Sequence, residues 1–490
     1  MRKSIPAQLQ LGELDIANIT FNTRSRDDIP QLLQGLQYLY RDPELRAQIF
    51  TTLSKLTSSK INTQLGRPGM DWWKILVMGT IRLNLNCDFD RVHELANEHR
   101  TLRQMLGHGF CDDDKEYSLQ AIKDNVQLFT PEILDEINQV VVNAGLKLKK
   151  KDQLTARCDS FVVETHVHYP TDINLLFDAI KKTISLTARY GEKLSIKGWR
   201  QNNFNTKQVK RAYRKAQQLK RSTSQNEEKK QLRLDKIEQS HKDYIALCFT
   251  IIEKATDTIN TPTNSTDLST IALRLQIEKY ITHAKRQIEQ VERRVIQGKV
   301  IPHNEKVFSI FQPHTEWINK GKAGVPVELG LRVCVVESTS GYILHHQVMQ
   351  QSTDVDVAVS IIRETKTRYA NLTECSFDKG FHSPSNQVEL ATYLDNVILP
   401  KKGKRNKAEE TRETDVEFRR KKRQHSAVES GINALEVHGL DKCPDTGLEG
   451  FQRYVGLAIV ARNIQKLGAE LQKTLQLNEK RQRYRDKRAA

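Results

Sequence analysis

Residues 327–349 read VELGLRVCVVESTSGYILHHQVM, and this stretch decides the fold class. Val327, Leu329, Leu331, Val333 and Val335 recur at the two-residue period that puts them on one face of a strand. STSG supplies the turn, and GYILHHQVM runs back as the second strand of a β-hairpin. Neighbouring residues of a strand point to opposite faces, so His345 and His346 are expected to be unable to share one metal ion.

Working upstream, TARCDSFVVETHVHY (155–169) is rich in β-branched and aromatic residues and reads as a long strand ending at Pro170. Thr171 or Asp172 then caps a helix through Leu175, Leu176, Phe177 and Ile180. From about 190 to 300 the chain is helical, polar and basic. There Ile277, Ile281, Ala284, Ile288, Val291 and Val295 repeat in alternating steps of four and three, a coiled-coil seam. Ile237, Tyr244, Cys248, Ile251 and Ala255 supply the facing seam of an antiparallel hairpin, with His241 tolerated at one core position. Downstream of 349, Asp354 caps a helix through Val357 and Ile361. The strand LTECSF, a turn at DKGF, the strand NVILP, a basic loop and a final helical region follow. Residues 28–147 carry helical periodicity, with Asp88 as a cap and Asp112, Asp113 and Asp114 as a solvated capping loop rather than a metal site.

The order strand, helices, hairpin, helix, strand, strand, helix predicts an α/β core interrupted by a helical insertion. Its expected parts are an N-terminal helical domain (1–150), the first part of the core (151–189), the insertion (190–300), the rest of the core (301–465) and a basic tail (466–490) that stays disordered until bound.

Lys and Arg outnumber Asp and Glu by 77 to 60 among 490 residues, a net charge of +17 that favours a polyanionic partner, nucleic acid before an anionic membrane surface. The seven cysteines form no CxxC pair, and no stretch is long and apolar enough for a signal or a membrane span. The expectation is a soluble, cytoplasmic protein without disulfides or a local zinc module. Ten Lys or Arg stand against one Glu between Gly191 and Ser222, among them Lys207, Lys210, Arg211, Arg214 and Lys215, interleaved with Trp199, Phe204 and Tyr213. Such a helix can neutralise DNA phosphates; a merely solvated face is the plainer alternative. A second basic segment holds Lys401, Lys402, Lys404, Arg405 and Lys407, then Arg419 to Arg423.

Three acidic residues stand where such a core would use them: Asp159 in the first strand, Asp378 after LTECSF, and Glu429 on the helix beyond the basic loop. In-line phosphodiester chemistry uses two divalent cations about 4 Å apart, and converging carboxylates supply the hard oxygens that Mg²⁺ prefers. Glu164, five residues from Asp159, faces the other side of its strand and is a structural partner. His166 and His168 share its parity, enough for a small polar cluster but not for a metal site.

The run FDKGFHS (377–383) resembles the second-aspartate motif of DDE transposases. Residues 327–349 resemble the hairpin that precedes it, and LPKKGKR followed by HSAVESGINALEVHGL resembles the basic loop and glutamate helix. The chain is most similar to the insertion-sequence transposases of the ISNCY group, in which DSFVVETHVHYPTD and FQPHTEWINKGKAG have counterparts. MDWWKILVMGTIRLNLNCDFD and RTLRQMLGHG look like their N-terminal domain. The likeness touches most of the chain except 190–300 and the last twenty residues.

The resemblance implies an RNase H-like mixed-sheet catalytic core and a DDE transposase that cleaves transposon ends and transfers strands into target DNA. Asp159, Asp378 and Glu429 would be its catalytic and metal-ligating triad, with two Mg²⁺ per site and Mn²⁺ able to substitute. Double-stranded DNA would be its partner, and a homodimer or higher oligomer on DNA, near the bacterial nucleoid, its working form. The N-terminal domain would bind DNA ends or dimerise. The alternatives are an RNase H-like nuclease or resolvase without joining activity, and a non-enzymatic basic DNA-binding protein. Where many relatives carry Tyr, Arg and Lys around the glutamate, this chain has Lys422, His425 and Glu436. His425, one turn before Glu429, supports the active site at the phosphate or metal shell, or is a half-buried helix histidine; both readings stand.

Overall fold

The computed structural model describes residues 14–22, 25, 27–56, 69–109, 116–149, 153–262, 267–319 and 326–489. Asp112, Asp113 and Asp114 lie outside them. The chain divides into two compact units, residues 1–166 with 316–490, and residues 167–315.

The first unit begins with seven helices: α1 (Asp28–Arg41), α2 (Pro43–Ser54), α3 (Trp72–Asn84), α4 (Phe89–Glu98), α5 (Arg100–Met105), α6 (Leu119–Val126) and α7 (Pro131–Lys149). Asp27, Asp42, Asp71 and Asp88 each accept a backbone N–H at the start of α1 to α4, satisfying donors that a helix start leaves open. The strand β1 (Leu154–Thr165) follows, and the second unit leaves the sheet after it.

That second unit is helical: α8 (Asp172–Lys193), α9 (Asn202–Gln218), α10 (Glu227–Asn260) and α11 (Leu268–Val291). Ile277, Ile281, Ala284, Ile288 and Val291 are buried, as are Tyr244, Cys248, Ile251, Ala255 and His241. The seams therefore lie inside, but α11 runs chiefly along α8 and α10 packs on both α8 and α9. A two-helix hairpin is thus corrected to a four-helix group, and the boundary expected at 190 moves to 166. The cause is the apolar face of α8, where Leu175, Leu176, Ala179, Ile180, Ile184 and Tyr190 join the same cluster.

Returning to the first unit, the chain forms β2 (Glu316–Asn319), β3 (Val327–Ser338), β4 (Ile343–Val348), α12 (Asp354–Arg368), β5 (Leu372–Phe377), α13 (Pro384–Tyr393) and β6 (Asn396–Ile398). Then come α14 (Lys407–Thr414), α15 (Val416–His425), α16 (Val428–Leu435), β7 (Lys442–Cys443) and α17 (Gly447–Ala489). The sheet is mixed and open, with central order β2-β3-β1-β5-β6; β4 also pairs with β3, and β7 with β1. β3 is antiparallel to β1, β2 and β4, whereas β5 and β7 run parallel to β1, and β6 parallel to β5. The α/β class read from the hairpin is what the chain adopts.

Three expectations need correction. β1 stops at Thr165, and His166 and His168 fall in different units; His168 Nε2 instead lies 3.3 Å from Asp178. The helices of 28–149 are no separate domain, because Leu32, Leu36, Trp73, Leu76, Ile137 and Val141 share one core with Cys158, Leu331 and Val333 of the sheet. Residues 466–489 are no loose tail but the end of α17, whose Ile464 and Leu467 are buried in that core. An isolated apolar helix face finds its partner in whatever layer is near, and periodicity alone does not name that layer.

Candidate active site

β1 and β5 run side by side in parallel register, with Thr155 opposite Glu374, Arg157 opposite Ser376 and Cys158 opposite Phe377. Alternation therefore puts Thr155, Arg157 and Asp159 on the same face as Glu374 and Ser376, and Asp378 follows directly after β5. On the antiparallel side Glu337 of β3 pairs with Arg157, which places its carboxylate on that face too; the two side chains are 3.5 Å apart.

α15 packs on β5 and α16 on β1. Lys421 pairs with Glu374, and His425 Nδ1 lies 3.0 Å from Ser376 Oγ. Four helical residues advance about 6 Å and two strand residues about 6.6 Å. The pairs 421 with 374 and 425 with 376 keep step in this way, but α15 ends at His425 and α16 begins at Val428, so Glu429 is not one turn beyond His425 on the same helix as expected; it stands in the first turn of α16, which packs on β1. Gly431 allows the close approach: a Cβ there would lie 2.5 Å from Glu337 Oε1.

Asp159, Asp378 and Glu429 lie near enough for the charges of Asp378 and Glu429 to act on Asp159, although among the described residues the three do not draw donor atoms within 4.8 Å of one another. Burial pushes the Asp159 carboxyl from 3.8 up to about 6; the Ser160 N–H, 2.8 Å from its Oδ1, works against this, and the charges of Asp378, Asp354 and Glu429 add to it. Asp378 also accepts the Gly380 N–H at 3.3 Å, capping a 3-10 turn over Lys379–Phe381. Among the described residues, none of these four carboxylates has a Lys, Arg or His ion-pair partner within 4 Å. Burial also lowers the pKa of His425, whose Nε2 is buried without a hydrogen-bond partner.

Asp354 is the residue that sequence reasoning misplaced. Thr353 and Asp356 form the capping box of α12, which leaves the Asp354 carboxylate free to accept from Ser160 Oγ at 2.6 Å. A Cβ on Gly380 would lie 3.2 Å from Asp354 Oδ2 and 3.5 Å from Asp378 Oδ2, so a residue without one separates the two carboxylates. Nothing in the run STDVD distinguishes an N-cap from the first helical residue beside it.

The basic residues divide. Lys207, Lys210, Arg211, Arg214 and Lys215 are exposed on α9 in the second unit. Of the aromatics among them only Phe204 is exposed. Trp199 is buried and donates to Thr258 Oγ1 at 2.9 Å, while Tyr213 stacks on Phe177. In the loop before α14, Lys401 pairs with Glu409 and Arg405 with Glu413, whereas Lys402 and Lys404 are exposed.

A second cluster overturns one expectation from sequence. Pairing of β3 with β4 shifts by one residue between Val336 and Glu337, so β4 bulges at Leu344. His345 and His346 lie beyond that bulge and pair in regular register with Val336 and Val335, yet their rings are 6.1 Å apart and one donor atom from each lies within 4.8 Å of the other and of Asp135 on α7. These three residues form a group able to hold a metal ion. Arg368 Nη1 donates to Asp135 Oδ1 at 2.6 Å and to His345 Nδ1 at 2.5 Å, and His345 Nε2 lies 3.1 Å from Glu364 Oε2.

Among the described residues no helix is long and apolar enough to cross a membrane. Comparison with family models, curated proteins and solved structures finds no match to this chain.

Proposed function

We propose that the chain is a DDE-type DNA transposase with an RNase H-like core, acting on double-stranded DNA by metal-dependent phosphoryl transfer. The observation that carries this reading is the approach of Asp378 and Glu429, from a strand end and a helix, to Asp159 on a strand, close enough for their charges to act on it, with no Lys, Arg or His in an ion pair with any of the three among the described residues. The donors are all carboxylate oxygens, one of them held well above its ordinary pKa by burial and its neighbours, and such a set fits hard divalent ions. When bound, two Mg²⁺ or Mn²⁺ ions would activate the attacking hydroxyl and stabilise the leaving oxygen.

The protein's own groups have separate tasks in this reading. Asp159, Asp378 and Glu429 would hold the ions. His425 is kept neutral by burial and oriented by Ser376 at Nδ1. With the Ser376 hydroxyl donating, Nε2–H is a donor for a phosphate oxygen. Lys402 and Lys404, which follow β6, and the basic face of α9 supply phosphate contacts. Handling two DNA ends at once calls for a dimer or larger assembly on DNA, working in the cytoplasm at the nucleoid.

The test is an oligonucleotide cleavage and strand-transfer assay with the DNA immediately flanking the gene as candidate ends. Asp378→Asn is expected to bind ends as the parent does and to lose cleavage and joining by roughly three orders of magnitude or more. Cleavage without joining would turn the reading to a nuclease or resolvase. A variant that joins ends at the parent rate in Mg²⁺ would end the DDE assignment.

A further inference from the structure

We propose that Asp135, His345 and His346 form a binding site for a transition metal of the Zn²⁺ class, and that Arg368 competes with the metal for it. Two imidazoles and one carboxylate make a mixed nitrogen and oxygen donor set, which suits Zn²⁺, Co²⁺ or Ni²⁺ and not the all-oxygen octahedron of Mg²⁺. Three observations point to a cation here. Its donor atoms already lie within 4.8 Å of one another, so a small closure brings them onto one ion. The His346 Nδ1 is buried with no hydrogen-bond partner, an orphan that ligation or the accompanying rearrangement would satisfy. And the Arg368 guanidinium stands between Asp135 and His345, marking the place where positive charge is already stabilised.

The outer partners have the arrangement that orients a ligating imidazole. An N–H of Arg368 donates to His345 Nδ1, which fixes that nitrogen as the acceptor and Nε2–H as the donor to Glu364. A carboxylate on the far nitrogen leaves the Nδ1 lone pair directed towards Asp135 and raises its basicity, as outer-shell carboxylates do for metal-bound histidines. Arg368 is in the last turn of α12 with its side chain 23% exposed, and Asp135 is 24% exposed. The guanidinium can therefore swing to solvent and leave its place to the ion. The bound metal would tie α7 to β4 directly, and to α12 through Glu364, at a site distinct from the cluster of Asp159, Asp378 and Glu429.

The experiment uses the full chain stripped with a chelator and titrated with Zn²⁺ against a chromophoric competitor. One equivalent is expected to bind and to resist a roughly thousandfold excess of Mg²⁺. His346→Ala and Asp135→Asn should weaken binding by roughly tenfold to a hundredfold; Arg368→Gln should tighten it. X-ray absorption on the Zn²⁺-loaded parent reads the ligands without any variant, and two-histidine scattering is the expected signature. The proposal fails if the parent binds no equivalent of Zn²⁺, if its absorption spectrum lacks two imidazoles, or if His346→Ala binds as the parent does. Weaker binding by Arg368→Gln would overturn the competition.

Discussion

The clusters at Asp159 and at Asp135 lie against the same sheet and are built from similar residues, yet they meet the cost of burying charge in opposite ways. Around Asp159 the carboxylates of Asp354, Asp378 and Glu429 add their charge, none of the four is in an ion pair among the described residues, and burial together with like charge lifts its pKa to about 6. Around Asp135 burial presses in the same direction, but the neighbouring His345 and the charge of Arg368 outweigh it and hold the carboxyl below its ordinary value. The difference teaches that burial by itself does not mark a site. An acid left without its counter-charge is a place where the fold waits for something, whereas an acid with an arginine in place is already stable and must be displaced.

The largest expected effect breaks or sharpens that contrast through pH. In metal-free protein the native state keeps a proton on Asp159 that the unfolded chain loses near pH 4, so this residue's contribution to stability declines as pH rises from about 4 to about 6. A shift of this size corresponds to about 3 kcal/mol. The second cluster has the other sign: Asp135 contributes stability above its unfolded pKa and loses it as pH falls. His346, whose pKa burial lowers from 6.5 to about 4, makes the fold less stable as pH drops through that window. Urea denaturation in EDTA should therefore find Asp159→Asn more stable than the parent at pH 7.5 by about 2–3 kcal/mol and Asp135→Asn less stable by about 1–3 kcal/mol. Between pH 4 and 6 the Asp159→Asn curve should rise more steeply than the parent's. Parallel curves would show that burial and the neighbouring carboxylates do not raise the Asp159 pKa in the folded protein.

A smaller effect probes how the open cluster is assembled. Gly431→Ala places a methyl 2.5 Å from the buried Glu337 carboxylate, so either that carboxylate shifts and loosens its ion pair with Arg157 or α16 moves outward. The expected cost is about 1–3 kcal/mol in thermal or urea unfolding, with a fall in strand transfer where Glu429 moves with its helix. Parent-like stability and activity would show that α16 does not need to lie so close.

The smallest change in stability is expected from Lys402→Ala combined with Lys404→Ala, both side chains being exposed. Folding should stay within about 0.5 kcal/mol of the parent, while the salt dependence of DNA binding becomes shallower by about two, about one for each lost phosphate contact. Lys401 and Arg405 should behave differently, destabilising α14 through loss of Glu409 and Glu413. An unchanged salt slope in the double variant would remove this loop from the DNA interface.

Much of the local structure was legible in the chain. The alternation of residues 327–335, the aspartate caps of α1 to α4 and the seams of α10 and α11 each follow from periods or hydrogen bonds that span a few residues, and such patterns are written consecutively. The three acids could be singled out by their order among strands and helices. Asp354 could not, because its role depends on Ser160, 194 positions earlier and brought beside it only when the sheet forms.

What the sequence by itself determined was the α/β class, the hairpin, the helical insertion and the basic charge, all properties of neighbours along the chain. Tertiary structure alone decided three other matters. It joined the N-terminal helices and α17 to the sheet in one core, since an apolar face does not name its partner. It packed α16 on β1, which brings the charge of Glu429 to bear on Asp159. And it brought His345 and His346 of β4 into reach of Asp135 on α7, a meeting that no pattern of neighbours along the chain records.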